Sequence, residues 1–318
     1  MLSAFSSGAD FFKCPPATRG DDLMNIMQAV LGDNPSVVYF DNTQISTEES
    51  SMEKRIDLTR IFPKSQAAKM NSELEEAANR IASAIKRASN DEYSLLLNLS
   101  KYLQVNVRYD MVELNAVSRG ISKYPASHNA YGALVKKLAV CDGFSSAFSL
   151  LAQKLGFESM LVYGRSEYSS SPMVEHAWNI LKVRNNHYHV DITWDARKFV
   201  ASGELSYDYF MLTDGEISND HTWNTKTAPK CQDASYSYFL KNGLLANNID
   251  QLKQIIRQTA LGKSNVFRIK LSPNIRLSGD TGDHLAQMTL NEVATPGIQK
   301  HITYFWNDNT RCFFAKVS

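Results

Sequence analysis

Cys141 in AVCDGFSSAF, His176 in EHAWNI and Asp191 in HVDITWD are three residues whose types and order could carry one reaction. Cys141 follows a short apolar stretch and opens a helical segment. Unsatisfied backbone N–H groups and the helix dipole at such a start favour a thiolate. The same N–H groups can hold an oxyanion when the sulfur attacks a carbonyl. Taken alone, a cysteine in this setting is more often a buried structural residue. A thiol nucleophile, however, needs an imidazole to take its proton and later to protonate the leaving group. His176 opens a strand after the Ser-rich loop 166–174 and can face a cleft there; alone, it reads as a surface or satisfied core histidine. Asp191 is an acid inside VDITW, an uncommon residue for a strand. It asks for a buried partner, and an imidazole held by a carboxylate is the usual solution. The expected geometry has the sulfur at one ring nitrogen of His176 and Asp191 hydrogen-bonded to the other.

The elements that must position these residues follow from periodicity and punctuation. Cys141 to Leu155 reads as a helix, with Phe144, Phe148, Leu151 and Leu155 on one face and Gly156 closing it. Glu158 to Tyr163 is a strand, and His176 to Val183 and His187 to Thr193 form a hairpin about Asn185-Asn186. With that turn, 184 pairs with 187 and Asp191 falls opposite Ile180, short of His176. Contact between the two then needs a longer turn or a bulge. Upstream, Leu74, Ala77, Ala78, Ile81, Ala82 and Ile85 mark a helix from Asn71, and Asp91 to Asn106 gives another. Residues 1–21 read as an irregular leader, 23–32 as a short helix, and Ser36–Phe40 and Met52–Ile61 as strands. A helix near Ile249–Leu261, a strand Val266–Leu271 and two aromatic strands, 298–306 and 312–317, close the chain.

In order, AVCDGFSSAFSLLAQKLGFESMLVYG, EHAWNILKV and HYHVDITWD resemble the core of the transglutaminase-like superfamily in its bacterial branch. Members show a Cys-x-Gly-[Tyr/Phe] helix start, a His-Ala-Trp-Asn strand and a Val-Asp-x-Thr-Trp-Asp strand. The resemblance covers about residues 90–225, and AYGAL (130–134), YFML and His221 are also similar. It implies an α+β, papain-like fold in which a helix bearing the cysteine packs on an antiparallel sheet bearing the histidine and the acid. It also implies Cys141 as nucleophile, His176 as general base and acid, and Asp191 as the acid that orients the imidazole. The implied reaction is acyl transfer on protein or peptide amides through a thioester, as transamidation to an amine acceptor or deamidation of glutamine. A cysteine peptidase or amide hydrolase is the alternative, and a non-catalytic binding module retaining the fold is a second. Asp142 stands where members vary, and Phe144 where tyrosine is frequent. The calcium-binding segments of animal members are not recognisable, so no metal or cofactor is expected; nor are the Cys-x-x-Cys pairs of the peptide N-glycanase branch.

Around the triad, Trp178 and Trp194 are expected to pack near it and Asn179 and Asp195 to satisfy backbone groups. Asp195 is also the next acid to test should Asp191 lie far from His176. Tyr131, ten residues before Cys141, could donate to an oxyanion or pack beneath the connection. His187 and His189 share a face with Asp191, a pattern that suits a metal but more often a solvent-facing strand. Cys231 and Cys312 lack a local base and read as structural.

The chain of 318 residues divides into an N-terminal extension (1–66), the catalytic core (67–230) and a C-terminal α/β extension (231–318). Lys+Arg is 34 against 33 for Asp+Glu, a balance that does not advertise a nucleic-acid partner. No apolar run is long enough to insert in a membrane. The first twenty residues lack an apolar core of signal-peptide length, which leaves open a cytoplasmic protein or one whose export signal lies outside this sequence.

Overall fold

Leu74, Ala77, Ala78, Ile81, Ala82 and Ile85 line the buried face of a helix that spans Lys64–Arg87 in the computed structural model. The structure describes residues 2–167, 172–262, 264–294 and 299–318. This helix starts at Lys64, directly after Pro63, and not at Asn71; its first turns are polar and carry no apolar period to read. The next helix, Glu92–Asn106, is fixed by a capping box. Asp91 accepts from the Ser94 backbone N–H at 2.7 Å, and Ser94 Oγ accepts from the Asp91 N–H at 3.0 Å. Both helices pack on the Cys141–Leu155 helix, which is buried over almost its whole length. Gly156 ends that helix in the left-handed conformation, φ 95°.

The Cys141 helix lies against a five-stranded antiparallel sheet. In spatial order its strands are His221–Trp223, Glu158–Ser166, Val174–Val183, Asn186–Val190 and Phe210–Leu212. Polar bonds pin helix to sheet: Ser145 Oγ donates to the Ala177 carbonyl at 3.0 Å, and Asn179 Nδ2 donates to the Ser145 carbonyl at 3.1 Å and to Ser149 Oγ at 2.9 Å. Asn179 therefore ties the strand of the histidine to the helix of the cysteine.

On one flank, Phe11–Cys14, Lys54–Arg60 and Phe40–Glu49 form a three-stranded antiparallel sheet with Lys54–Arg60 in the middle. Helix Gly20–Asp33 packs on it, and Phe5, Met27, Tyr39, Phe40 and Leu58 share one apolar cluster. Two expectations fail here. Ser36–Phe40 is not a strand: Val38 and Tyr39 are buried as irregular chain, and the strand begins only at Phe40 and runs through the polar segment. That segment is a sheet edge whose last residues face water, so it shows no apolar alternation. The leader is not irregular throughout either, since it contributes helix Leu2–Ser7 and strand Phe11–Cys14.

On the other flank a four-stranded sheet joins Leu245–Ala246, Val266–Leu271, Cys312–Val317 and Ile302–Asn307. Helices Ile249–Leu261 and Thr281–Val293 cover it, and Leu252, Ile256, Phe267, Leu285 and Phe313 belong to its own cluster. The start expected at residue 298 for the first aromatic strand lies outside the described residues, as do 168–171 of the Ser-rich loop. No helix among the described residues is long and apolar enough to cross a membrane.

Candidate active site

The hairpin that carries the histidine turns at Arg184–Asn185, one residue earlier than Asn185-Asn186. Val183 pairs with Asn186, and Asn179 with Val190. Arg184 takes a positive φ of 55°, which a tight hairpin turn of this kind demands. The strand stops at Val190. Asp191 is not a strand residue: it caps helix Ile192–Ser202, and its Oδ1 accepts from the N–H groups of Thr193 at 2.9 Å and Trp194 at 3.2 Å. The acid in VDITW is thus a helix cap. The shifted register aligns position 191 with Trp178, two residues from His176 and on the same face, a diagonal that side chains can span. His176 Nε2 lies 2.6 Å from Asp191 Oδ2. The contact needs neither a longer turn nor a bulge between these strands.

Both groups are buried. Burial alone would raise the Asp191 carboxyl, but His176 and His221 hold it down to about 2. Asp191 is therefore an anion that only accepts, so His176 Nε2 carries the proton and Nδ1 is the nitrogen left for a substrate or a thiol.

Cys141 is the first residue of its helix, after Val140 in extended conformation. Gly143 makes this start possible: a Cβ there would lie 2.2 Å from the Ser127 carbonyl oxygen, so the helix could not sit on the 125–128 turn. The backbone N–H groups of Ala177, next to His176, and of Asp142 address the sulfur. Cys141 keeps part of its surface, yet the thiol stands among packed groups. Burial first, and the Asp142 and Asp191 carboxylates after it, push the thiol up to about 12 against the two N–H groups. The expected resting thiolate is corrected to a resting thiol, because burial and two acids outweigh the helix start. Iodoacetamide labelling of Cys141 should accordingly keep rising above pH 8; a rate already level by about pH 6 would reveal a preformed thiolate.

Asp142 is clamped. His128 Nδ1 lies 2.9 Å from its Oδ2, and His128 Nε2 lies 3.2 Å from Glu113 Oε1. Burial would lower the His128 imidazole, but the two carboxylates lift it to about 9. The rim of the site adds Tyr109, stacked on Phe144 at 6.3 Å and within electrostatic reach of Cys141. The Arg197 guanidinium stands 5.5 Å over the Tyr109 ring and 5.3 Å over the Trp194 ring. His128, Tyr109 and Arg197 carry no sequence signal of this role, since each meets the site only through tertiary contact.

The remaining candidates separate. Trp178 and Trp194 stay beside the His176–Asp191 pair, their rings 6.0 and 5.4 Å from that of His176. Tyr131 does not: its hydroxyl proton goes to Glu73 Oε2 at 2.5 Å, so the oxyanion role expected for it gives way to packing against helix Lys64–Arg87. Asp195 is also elsewhere, its Oδ1 accepting from Ser206 Oγ at 2.7 Å and the Tyr209 N–H at 3.2 Å. Its Oδ2 is buried with no partner among the described residues, and burial, with Asp208 adding, pushes the carboxyl up to about 7. A carboxyl that binds its proton more tightly when folded contributes its full stability below about pH 4 and loses it as pH rises to about 7. Asp195→Asn should therefore gain in Tm relative to the parent between about pH 4 and pH 7, then hold level. A difference constant across that range would contradict the assignment.

Among the described residues two clusters have metal-ligand types: His176, Asp191 and His221, and His189, Asp214 and Cys231. In the second, Trp178 Nε1 donates to His189 Nδ1 at 3.0 Å, and His189 Nε2 faces Asp214 Oδ1 at 2.9 Å. A histidine binding metal through Nε2 keeps its proton on Nδ1, where the indole N–H already points. His189 is fully buried, against the expectation of a solvent-facing strand. In the first cluster the 2.6 Å contact is a hydrogen-bond distance, shorter than the roughly 3.3 Å between ligands of a tetrahedral zinc. Both donor sets are arranged as hydrogen-bonded pairs. Cys231 and Cys312 are buried, with thiols raised by burial.

Residues 79–192 match the family model of the Transglutaminase-like superfamily, a segment that holds Cys141, His176 and Asp191. Among curated proteins the chain has no sequence match. Among solved structures, one described as a TGase is 16% identical with a TM-score of 0.34, over 47% of this chain and 44% of that one. A proposed cysteine protease from Cytophaga hutchinsonii is 13% identical with a TM-score of 0.28, over 47% of this chain and 61% of that one. A proposed protease from Parabacteroides distasonis is 10% identical with a TM-score of 0.29, over 86% of this chain and 61% of that one. The chain spans less than two thirds of each of these structures.

Proposed function

We propose that the transglutaminase-like core at residues 79–192 makes this chain a cysteine-dependent acyl-transfer enzyme acting on protein or peptide amides. The observation that carries this reading is the 2.6 Å His176–Asp191 pair on a strand whose next residue, Ala177, addresses the Cys141 sulfur with its N–H. Cys141 attacks the amide carbonyl while His176 Nδ1 takes the thiol proton, so the sulfur becomes a nucleophile only as it reacts. Backbone N–H groups at the start of the helix hold the oxyanion. The imidazolium returns the proton to the departing ammonia or amine, and a thioester remains on Cys141. An amine, such as a lysine side chain or a polyamine, or water then loses a proton to His176 and attacks the thioester, releasing product and thiol. Glutamine is the preferred acyl donor on this reading, and hydrolysis of a peptide bond is the alternative outcome of the same chemistry.

Incubation of the protein with a pool of Gln- and Lys-containing peptides, followed by mass spectrometry, tests this. Crosslinked peptides that have lost ammonia, or glutamine converted to glutamate, support the proposal, and cleaved backbones shift it to peptidase chemistry. An unchanged pool would leave a binding module in its place.

A further inference from the structure

Asp191 Oδ2 meets a second imidazole. His221 Nε2 lies 3.1 Å from it, and both side chains are wholly buried. His221 opens the edge strand beside Glu158–Ser166, where it pairs with Ser166. Its other nitrogen, Nδ1, lies 2.5 Å from Asp220 Oδ1. Asp220 Oδ2 in turn accepts from Tyr209 Oη at 2.5 Å, and Tyr209 Oη accepts from Asn307 Nδ2 at 3.3 Å. A buried line of hydrogen bonds thus runs from the C-terminal hairpin to His176.

We infer that His221, held by Asp220, is a positioning residue for the proposed reaction: its ring fixes Asp191 and its positive charge offsets part of the carboxylate's pull on the His176 proton. The inference rests on the acyl-transfer reading for its purpose, but not for its geometry. Trp194 Nε1 also lies 3.2 Å from His221 Nε2. One nitrogen cannot donate to Asp191 and accept from Trp194 together. When the ring is charged, both N–H groups serve carboxylates and Asp191 has two imidazole donors. When it is neutral, the Nε2 lone pair accepts from the indole and Asp191 Oδ2 is left with the His176 donor.

Several groups face this ring. Asp191 comes from the helix cap and Asp220 from the preceding residue; the His176 ring is 5.6 Å away and that of Tyr209 5.7 Å. His189 lies across the sheet, with burial foremost in pushing it down to about 4, so it brings no competing charge at neutral pH. Burial acts against the charged form of His221, but the two carboxylates outweigh it and lift the ring to about 9. With this charge beside it, Asp191 shares its pull between two rings and does not direct all of it at His176.

Two variants remove the charge with little change of shape. His221→Gln keeps an N–H donor toward Asp191 and loses the positive charge. Asp220→Asn still accepts from Nδ1–H but no longer holds the ring charged. In either variant the His176 titration midpoint, read by NMR in a Cys141→Ala background, should move up by about one pH unit, tenfold in proton affinity. The acid limb of the kcat/KM profile should move with it when Cys141 is present. Should His221→Gln not fold, Asp220→Asn carries the test. A merely structural role would lower Tm and activity and leave the midpoint where the parent has it, which overturns the inference. Failure of the acyl-transfer reading would look different: the parent would make no product, while the NMR midpoints could still be compared.

Discussion

Asp191→Asn should lower kcat/KM about 10³-fold or more in a chain that still folds, with a Tm below that of the parent because the buried imidazoles of His176 and His221 lose their shared anion. The fold tolerates the change because asparagine keeps the cap: its Oδ1 can still accept from the N–H groups of Thr193 and Trp194. The chemistry does not tolerate it. The amide N–H would then face His176 Nε2, which must accept, and the ring proton moves to Nδ1. Nδ1 is the nitrogen that has to take the thiol proton, so the imidazole is held in the wrong tautomer. Steady-state kinetics on a glutamine peptide, beside a thermal melt, checks this. Activity within tenfold of the parent in the folded variant would remove Asp191 from the mechanism.

Cys141→Ala should lower turnover about 10⁴-fold or more, the scale seen when a nucleophile is deleted from a unit that works together. Its Tm should stay near the parent's, because a small side chain at the first turn of a helix carries little packing and the residue keeps part of its surface. The comparison that matters is with the other cysteines. Cys231, clustered with His189 and Asp214, and Cys312 are both closed off from solvent, so replacing them should leave kcat/KM near that of the parent. Retained turnover in Cys141→Ala would mean that the reaction uses another nucleophile.

The parts of this site that could be read from the sequence are those written in local periodicity. The face Phe144, Phe148, Leu151 marks the cysteine helix, and the runs around His176 and Tyr188 mark its two sheet partners. The turn was harder. Asn185-Asn186 is the more favourable dipeptide, yet the chain puts Arg184 in the left-handed region to keep Leu181, Val183, Tyr188 and Val190 in the core. VDITW is β-branched and aromatic and reads as strand; the cap that Asp191 forms is legible only once the strand is known to stop at Val190. The clamp of His128 on Asp142 and the bond of His221 to Asp191 join residues 14 and 30 apart with no periodic signature. The thiol went the other way from expectation for a related reason: a helix start is visible in sequence, whereas burial and the approach of Asp142 and Asp191 arise only on folding.

The central claim is that Cys141 forms a thioester with an amide substrate. Mixing the protein with a glutamine peptide, quenching in acid within the first turnover and digesting the product gives the direct test. The fragment bearing Cys141 should gain the mass of the peptide less one ammonia, and Asp191→Asn should form that adduct far more slowly. An adduct on any other residue, or product released with no mass ever appearing on Cys141, would contradict the account.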